Sequence, residues 1–141
     1  MGGSVMLLMK PGEANKIMSF FTPGTDLLSA PVLKGYDRRA HCWIECSGNK
    51  IDIGYSFGGM HNGEWANAIA VEIIKRFKVR KAGWDSIGYC DDINSVLKAR
   101  PFSMYLEDKG IIGILAPKKK MRQWQAVYEG AAGKIFERAI K

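Results

Sequence analysis

The stretch from Arg39 to Ser56 constrains this chain more than any other. Gly48-Asn49 separates two runs, 39–46 and 50–56, in which apolar and polar residues alternate. A two-residue loop with glycine first suits a type II′ turn, because glycine supplies the positive φ that the turn needs. Such a turn fixes the register of the hairpin. Cys46 then faces Ile51, Ile44 faces Ile53 and Cys42 faces Tyr55, while Glu45 meets Asp52, Trp43 meets Gly54 and His41 meets Ser56. One face is apolar and the other is polar around a tryptophan, the pattern of a sheet with one face on a core.

The rest of the chain can be read outward from this hairpin. Residues 5–9 read as a short buried strand, followed by a short helix over 13–21 with Ile17, Phe20 and Phe21 on one side. Thr22-Pro23-Gly24 stops that helix, since proline disfavours helix in the residue before it. Residues 22–37 read as irregular. Asn62 is positioned to cap a helix over 64–77, whose stripe Ala66, Ile69, Ala70, Ile73, Ile74 and Phe77 has the 3.6-residue period. A strand is expected over 83–90, a short helix opening at Asp91-Asp92, and a second hairpin over 102–106 and 111–116. A final helix starts near Lys119 with the stripe Trp124, Val127, Tyr128, Ala131, Ala132 and Ile135. Gly130 and Gly133 lie off that stripe, so either this helix bends there or something packs against its backbone. The expectation is one α+β domain over 1–141, with a mainly antiparallel sheet and helices packed on one face.

Composition narrows the class. The chain has 141 residues, 47% apolar and 25% charged, which is ordinary for a globular domain that needs no metal or disulfide to fold. Three cysteines without framework spacing argue against a secreted disulfide scaffold. No run approaches the ~18 apolar residues of a membrane span, and the apolar stretch 5–9 is shorter than the apolar region of a signal peptide. The expected compartment is therefore the cytoplasm, with no membrane partner and no cofactor. Nine of the 21 basic residues behind the net charge of +7 fall in two stretches. The first holds Lys75, Arg76, Lys78, Arg80 and Lys81; the second holds Lys118, Lys119, Lys120 and Arg122.

The most specific chemical motif lies in the hairpin. A strand reading His41-Cys42-Trp43-Ile44-Glu45, a turn, and a strand carrying Asp52 resembles the histidine hairpin of transglutaminase-like cysteine hydrolases. The resemblance covers about sixteen residues. It implies His41 as general base for a thiol and Asp52 as the carboxylate that orients the ring. The family's nucleophile lies upstream, at a helix start, and this chain has no cysteine before Cys42. Strand alternation turns Cys42 and Cys46 away from His41, which leaves Cys90 in a permuted order. Asp91 and Asp92 beside Cys90 oppose thiolate formation, so an inert thiol is expected there.

Other constellations are less specific. Cys42, Cys46, His61 and Cys90 are four ligand types, but positions i and i+4 of a strand lie ~13 Å apart, too far for one zinc, and no metal site is expected. The loop 57–63 matches no phosphate-binding pattern, although His61 and Asn62 in it could touch a ligand. Trp43 and Glu45 on the polar face of the hairpin are candidates for the same role. Lys118, Lys119, Lys120 and Arg122 are the candidate nucleic-acid contacts, but Trp124 and Tyr128 beside them fall on a core stripe, where they are not free to stack on bases. The first reading is by default a small binding domain for a ligand or protein partner that the sequence does not name. Its rivals are a cysteine–histidine hydrolase or transferase using Cys90, His41 and Asp52, and a weak nucleic-acid binder.

Overall fold

A computed structural model describes residues 2–21, 27–33, 38–56, 62–85, 88–89 and 118–140, and within the last helix the side chains of residues 125–138. The hairpin is its organising element. β3 (His41–Ser47) and β4 (Lys50–Ser56) pair antiparallel in the expected register, with Ile44 opposite Ile53, Glu45 opposite Asp52 and Trp43 opposite Gly54. Gly48 has φ 60°, the positive value its turn position requires.

β1 (Gly2–Met9) lies between β4 and β5 (Val79–Trp84), antiparallel to both. β4 and β5 therefore run the same way, and no tight turn can join them. The connection is α2 (Asn62–Arg76), which crosses the sheet and packs on β1, β3 and β4. β2 (Leu27–Ser29) extends the β3 edge, and β6 (Gly88–Tyr89) extends the β5 edge. The described strands form one antiparallel sheet in the order β2-β3-β4-β1-β5-β6. The helices, α1 (Glu13–Met18), α2 and α3 (Lys118–Ile140), supply its cover, so the α+β class holds.

The core follows from alternation. Val5, Leu7 and Met9 of β1, Cys42 and Ile44 of β3, Ile51, Ile53 and Tyr55 of β4, and Ala82 of β5 are all buried on one face. The expected stripe of α2 closes over them through Ala66, Ile69, Ala70 and Ile73. Trp65 is fully buried as well: its indole N–H donates to the Leu28 carbonyl at 2.9 Å, and its ring meets Tyr128 edge-on at 5.6 Å. α3 packs mainly on α2. Behind them, Phe21 and Phe77 both meet Phe136 near edge-on, at 6.0 and 6.2 Å. No helix among the described residues is long and apolar enough to cross a membrane.

Several expectations are corrected. Residues 22–37 are not irregular throughout. β2 is a strand of three residues, too short for alternation to show, held by its pairing with β3 and by the Trp65 bond. The first helix ends at Met18, with Ser19 as its C-cap. The strand expected over 83–90 is instead β5, which begins at Val79, followed by a turn at Asp85 and the two-residue β6. The cations of 78–81 masked the start of β5. Among the described residues β6 pairs only Gly83 and Trp84, so Arg80 and Lys81 have no strand partner on that side, a position where charged residues belong. Cys46 is exposed rather than buried, because it sits one pair from the hairpin tip. On α3, Val127 is 44% exposed and Phe136 is fully buried, since this stripe meets α2 and the phenylalanine cluster. Gly133 lies against Glu72 of α2, whereas Gly130 faces open space. The helix expected at Asp91-Asp92 and the hairpin expected over 102–116 lie outside the described residues.

Candidate functional site

The face of the sheet opposite α2 carries the chemistry. Residues paired across antiparallel strands share a face, so the register sorts this surface into rows. Trp43, Gly54 and Ser4 form one row; Glu45, Asp52 and Met6 form the next; Lys50, Leu8 and Lys81 form a third. The Asp85 N–H donates to the Ser4 carbonyl at 3.2 Å, which brings that carboxylate beside the first row.

An open hollow of about 480 Å³ lies over the first two rows. Trp43, Gly54 and Ser4 line it together with Glu45, Asp52 and Asp85. The Trp43 indole lies across Gly54 so closely that a methyl group at position 54 would overlap the ring. Gly54 is thus the cross-strand partner that lets the tryptophan lie down on the sheet. Asp52 is the polar focus. Its Oδ2 lies 3.6 Å from Lys50 Nζ, while its Oδ1 is buried with no hydrogen-bond partner among the described residues.

His41 and Asp52 take different partners. His41 Nδ1 shares a 2.9 Å hydrogen bond with Ser29 Oγ of β2. Asp52 is opposite Glu45, four residues along β3 from His41, a separation of ~13 Å at strand rise. Trp43 stands between them on the same face. Cys90 and His61 lie outside the described residues. Lys118, Lys119, Lys120 and Arg122 occupy the first turns of α3, and their side chains also lie outside.

Asn62, expected as a helix cap and a ligand contact, is the first residue of α2, and its amide turns to the hairpin. The His41 N–H donates to Asn62 Oδ1 at 2.8 Å, and Asn62 Nδ2 donates to the Ser56 carbonyl at 3.0 Å. The side chain continues the β3–β4 ladder past its last backbone pair. Cys42 is buried, and burial pushes its thiol above the ordinary range. No cluster of three or more metal-ligating side chains occurs among the described residues.

Trp43 and Glu45, candidate ligand contacts on the polar face of the hairpin, line the hollow. Gly54, Ser4 and Asp85 were not singled out from sequence. Gly54 could have been found there, because the hairpin register alone sets it opposite Trp43. Ser4 and Asp85 depend on β1 pairing with β4 and β5, for which no local signal exists. No family model, curated protein or solved structure matches this chain.

Proposed function

We propose that the protein is a binding domain, and that the hollow at Trp43 and Asp52 takes a small organic cation, an alkylammonium or guanidinium group. The observation that carries this reading is Asp52 at the hollow, whose carboxylate oxygen Oδ1 is buried without a hydrogen-bond partner among the described residues. Leaving such an atom unsatisfied costs about 1–3 kcal/mol or more, and a turn of the half-buried carboxylate that brings Oδ1 into the hollow would let an N–H donor from a ligand recover it. Lys50 already sets an ammonium beside the other oxygen of this carboxylate. Glu45 and Asp85 add negative charge at the rim, and the indole offers a π face to a cation.

The expected affinity is modest. One charge-assisted hydrogen bond of about 1.5–3 kcal/mol and a cation–π contact of about 0.5–2 kcal/mol sum to about 2–5 kcal/mol, which corresponds to a Kd of roughly 0.2–30 mM, the cost of association favouring the weak end. The test is titration of the full chain with butylammonium and with methylguanidinium, followed by NMR at the Trp43 indole N–H. That resonance is assigned by its loss in Trp43→Phe. Saturable shifts are expected, weakened at least tenfold in Asp52→Asn. No shift up to about 100 mM cation, or equal binding by Asp52→Asn, would refute the reading.

A further inference from the structure

A second surface of opposite charge lies at the other end of the same sheet. The Lys10 N–H donates to the Lys78 carbonyl at 3.0 Å, and the Met9 N–H donates to the Asn49 carbonyl at 2.8 Å. The end of β1, the start of β5 and the tip of the β3–β4 hairpin therefore converge. The convergence gathers Lys10, Lys78, Arg80 and Lys81, with Lys75 in the last turn of α2, and all five are exposed. None of them forms an ion pair among the described residues, whereas Lys16, Lys50 and Arg76 are engaged by Glu13, Asp52 and Glu72. Glu13, the acid at this end, is occupied: it holds Lys16 and accepts from the Lys78 N–H at 3.0 Å. The result is a cationic surface built from two separate parts of the chain, Lys10 and the stretch 75–81.

We propose that this end of the sheet docks single-stranded nucleic acid without regard to sequence, the cations following phosphates and Tyr89 stacking on a base. Tyr89 is 38% exposed on β6. Its partner Gly83 puts no side chain beside it, and Lys81 is two residues from Gly83 on the same face. Backbone-following charge beside an exposed aromatic ring is how single strands are held without base readout. An anionic membrane is the poorer fit. Interfacial binding joins charge to an inserted apolar face, and of the large apolar side chains exposed among the described residues, Val32, Tyr89 and Val127, Tyr89 alone adjoins the cations, one ring rather than an apolar face. This surface shares no residue with the hollow, so the two proposals stand or fall separately.

The experiment is fluorescence anisotropy with a labelled oligothymidylate of about 20 nucleotides across a salt series. Five contacts to a single strand predict a slope of log K against log salt of roughly −3.5, a loss of about a hundredfold in affinity between 50 and 200 mM. Binding that is measurable at low salt and nearly gone at physiological salt is therefore expected. The variant Lys10→Gln, Lys78→Gln, Arg80→Gln, Lys81→Gln should flatten the slope to about −0.7, with folding checked by circular dichroism. Tyr89→Ala should weaken binding several-fold at every salt concentration and leave the slope unchanged. An unchanged slope in the fourfold variant overturns the proposal, as does a slope that flattens instead in Lys118→Gln, Lys119→Gln, Lys120→Gln. Tighter binding to phosphatidylserine vesicles than to the oligonucleotide at equal salt would overturn it in favour of a membrane.

Discussion

Asn62 offers the sharpest test of how the fold holds its open sheet face. Its amide accepts from the His41 N–H at 2.8 Å and donates to the Ser56 carbonyl at 3.0 Å, and the residue is buried. Asn62→Ala removes both bonds at once and leaves the His41 N–H facing a cavity. A net hydrogen bond contributes about 0.5–1.5 kcal/mol, and stranding a buried group costs about 1–3 kcal/mol. Partial access of water to the exposed end of Ser56 lowers the sum, so about 2–3 kcal/mol is expected, read from the midpoint of a urea unfolding curve at unchanged slope. Asn62→Asp separates the two bonds. The carboxylate still accepts from His41 N–H, but at neutral pH it sets an anionic oxygen against the Ser56 carbonyl. Burial and that carbonyl both disfavour the charged form, so the folded pKa of the new aspartate lies above its unfolded value of about 3.9. The penalty is then present at pH 7 and relieved as pH falls through the folded pKa, because the protonated acid can donate to Ser56. The stability gap between Asn62→Asp and the parent protein should close by about 1–2 kcal/mol between pH 7 and pH 4.5. If Asn62→Ala lies within about 0.5 kcal/mol of the parent, or the aspartate gap is independent of pH, the amide does not bridge the strands as described.

The remaining predictions concern the core and the thiols. Phe136→Ala should cost about 3–5 kcal/mol, because the ring is fully buried against Phe21 and Phe77; an unchanged melting temperature would mean that α3 does not dock there. In a Cys90→Ala background, Cys46 should react with iodoacetamide in the native state and Cys42 only at the rate of unfolding, as mass spectrometry of a time course would show. The Lys16 ammonium, and then the Lys78 N–H, hold the Glu13 carboxyl below its ordinary range. Its stabilising contribution is therefore complete above the unfolded pKa of about 4.3 and is lost as pH falls through the lower folded value. The stability difference between the parent protein and Glu13→Gln should accordingly shrink between pH 5 and pH 3.

How much of this was legible in the sequence depends on the range of the interaction concerned. The hairpin register was legible because turn chemistry and alternation act over a few residues and agree, and the apolar stripe of α2 was legible for the same reason. β2 was not, since three residues carry no period, and what holds it is Trp65, some 37 residues away. β5 was hidden because its start carries Arg80 and Lys81 next to Lys78, which read as a loop until their lack of a strand partner on one side, among the described residues, explains them. Asn62 had the right residue type for a cap, but its partners 21 and 6 residues upstream compete for the same amide and win. The candidate site divides in the same way. Trp43, Glu45 and Asp52 follow from the hairpin alone, whereas Ser4 and Asp85 join them only once β1 has inserted between β4 and β5.

That insertion also sets the electrostatic relation between the two ends of the open face. Along the strands and across them, Asp52 in the hollow and the cations Lys10, Lys78, Arg80 and Lys81 are separated by roughly 15 Å on average, from strand rise and strand spacing. This is about twice the screening length at 0.15 M salt and about half that at 0.01 M. Four unit charges at ~15 Å in water oppose a bound cation by about 1.1 kcal/mol without screening. Screening leaves about 0.7 kcal/mol at 0.01 M and about 0.2 kcal/mol at 0.15 M. Neutralising the four cations with glutamine should therefore tighten butylammonium binding at the hollow about threefold at 0.01 M salt and less than about 1.5-fold at 0.15 M. NMR titrations of the parent and the fourfold variant at the two salt concentrations measure both ratios. An enhancement of equal size at both would mean that the substitutions act by reshaping the hollow, because a change of contact geometry is indifferent to salt and a field acting across the sheet is not.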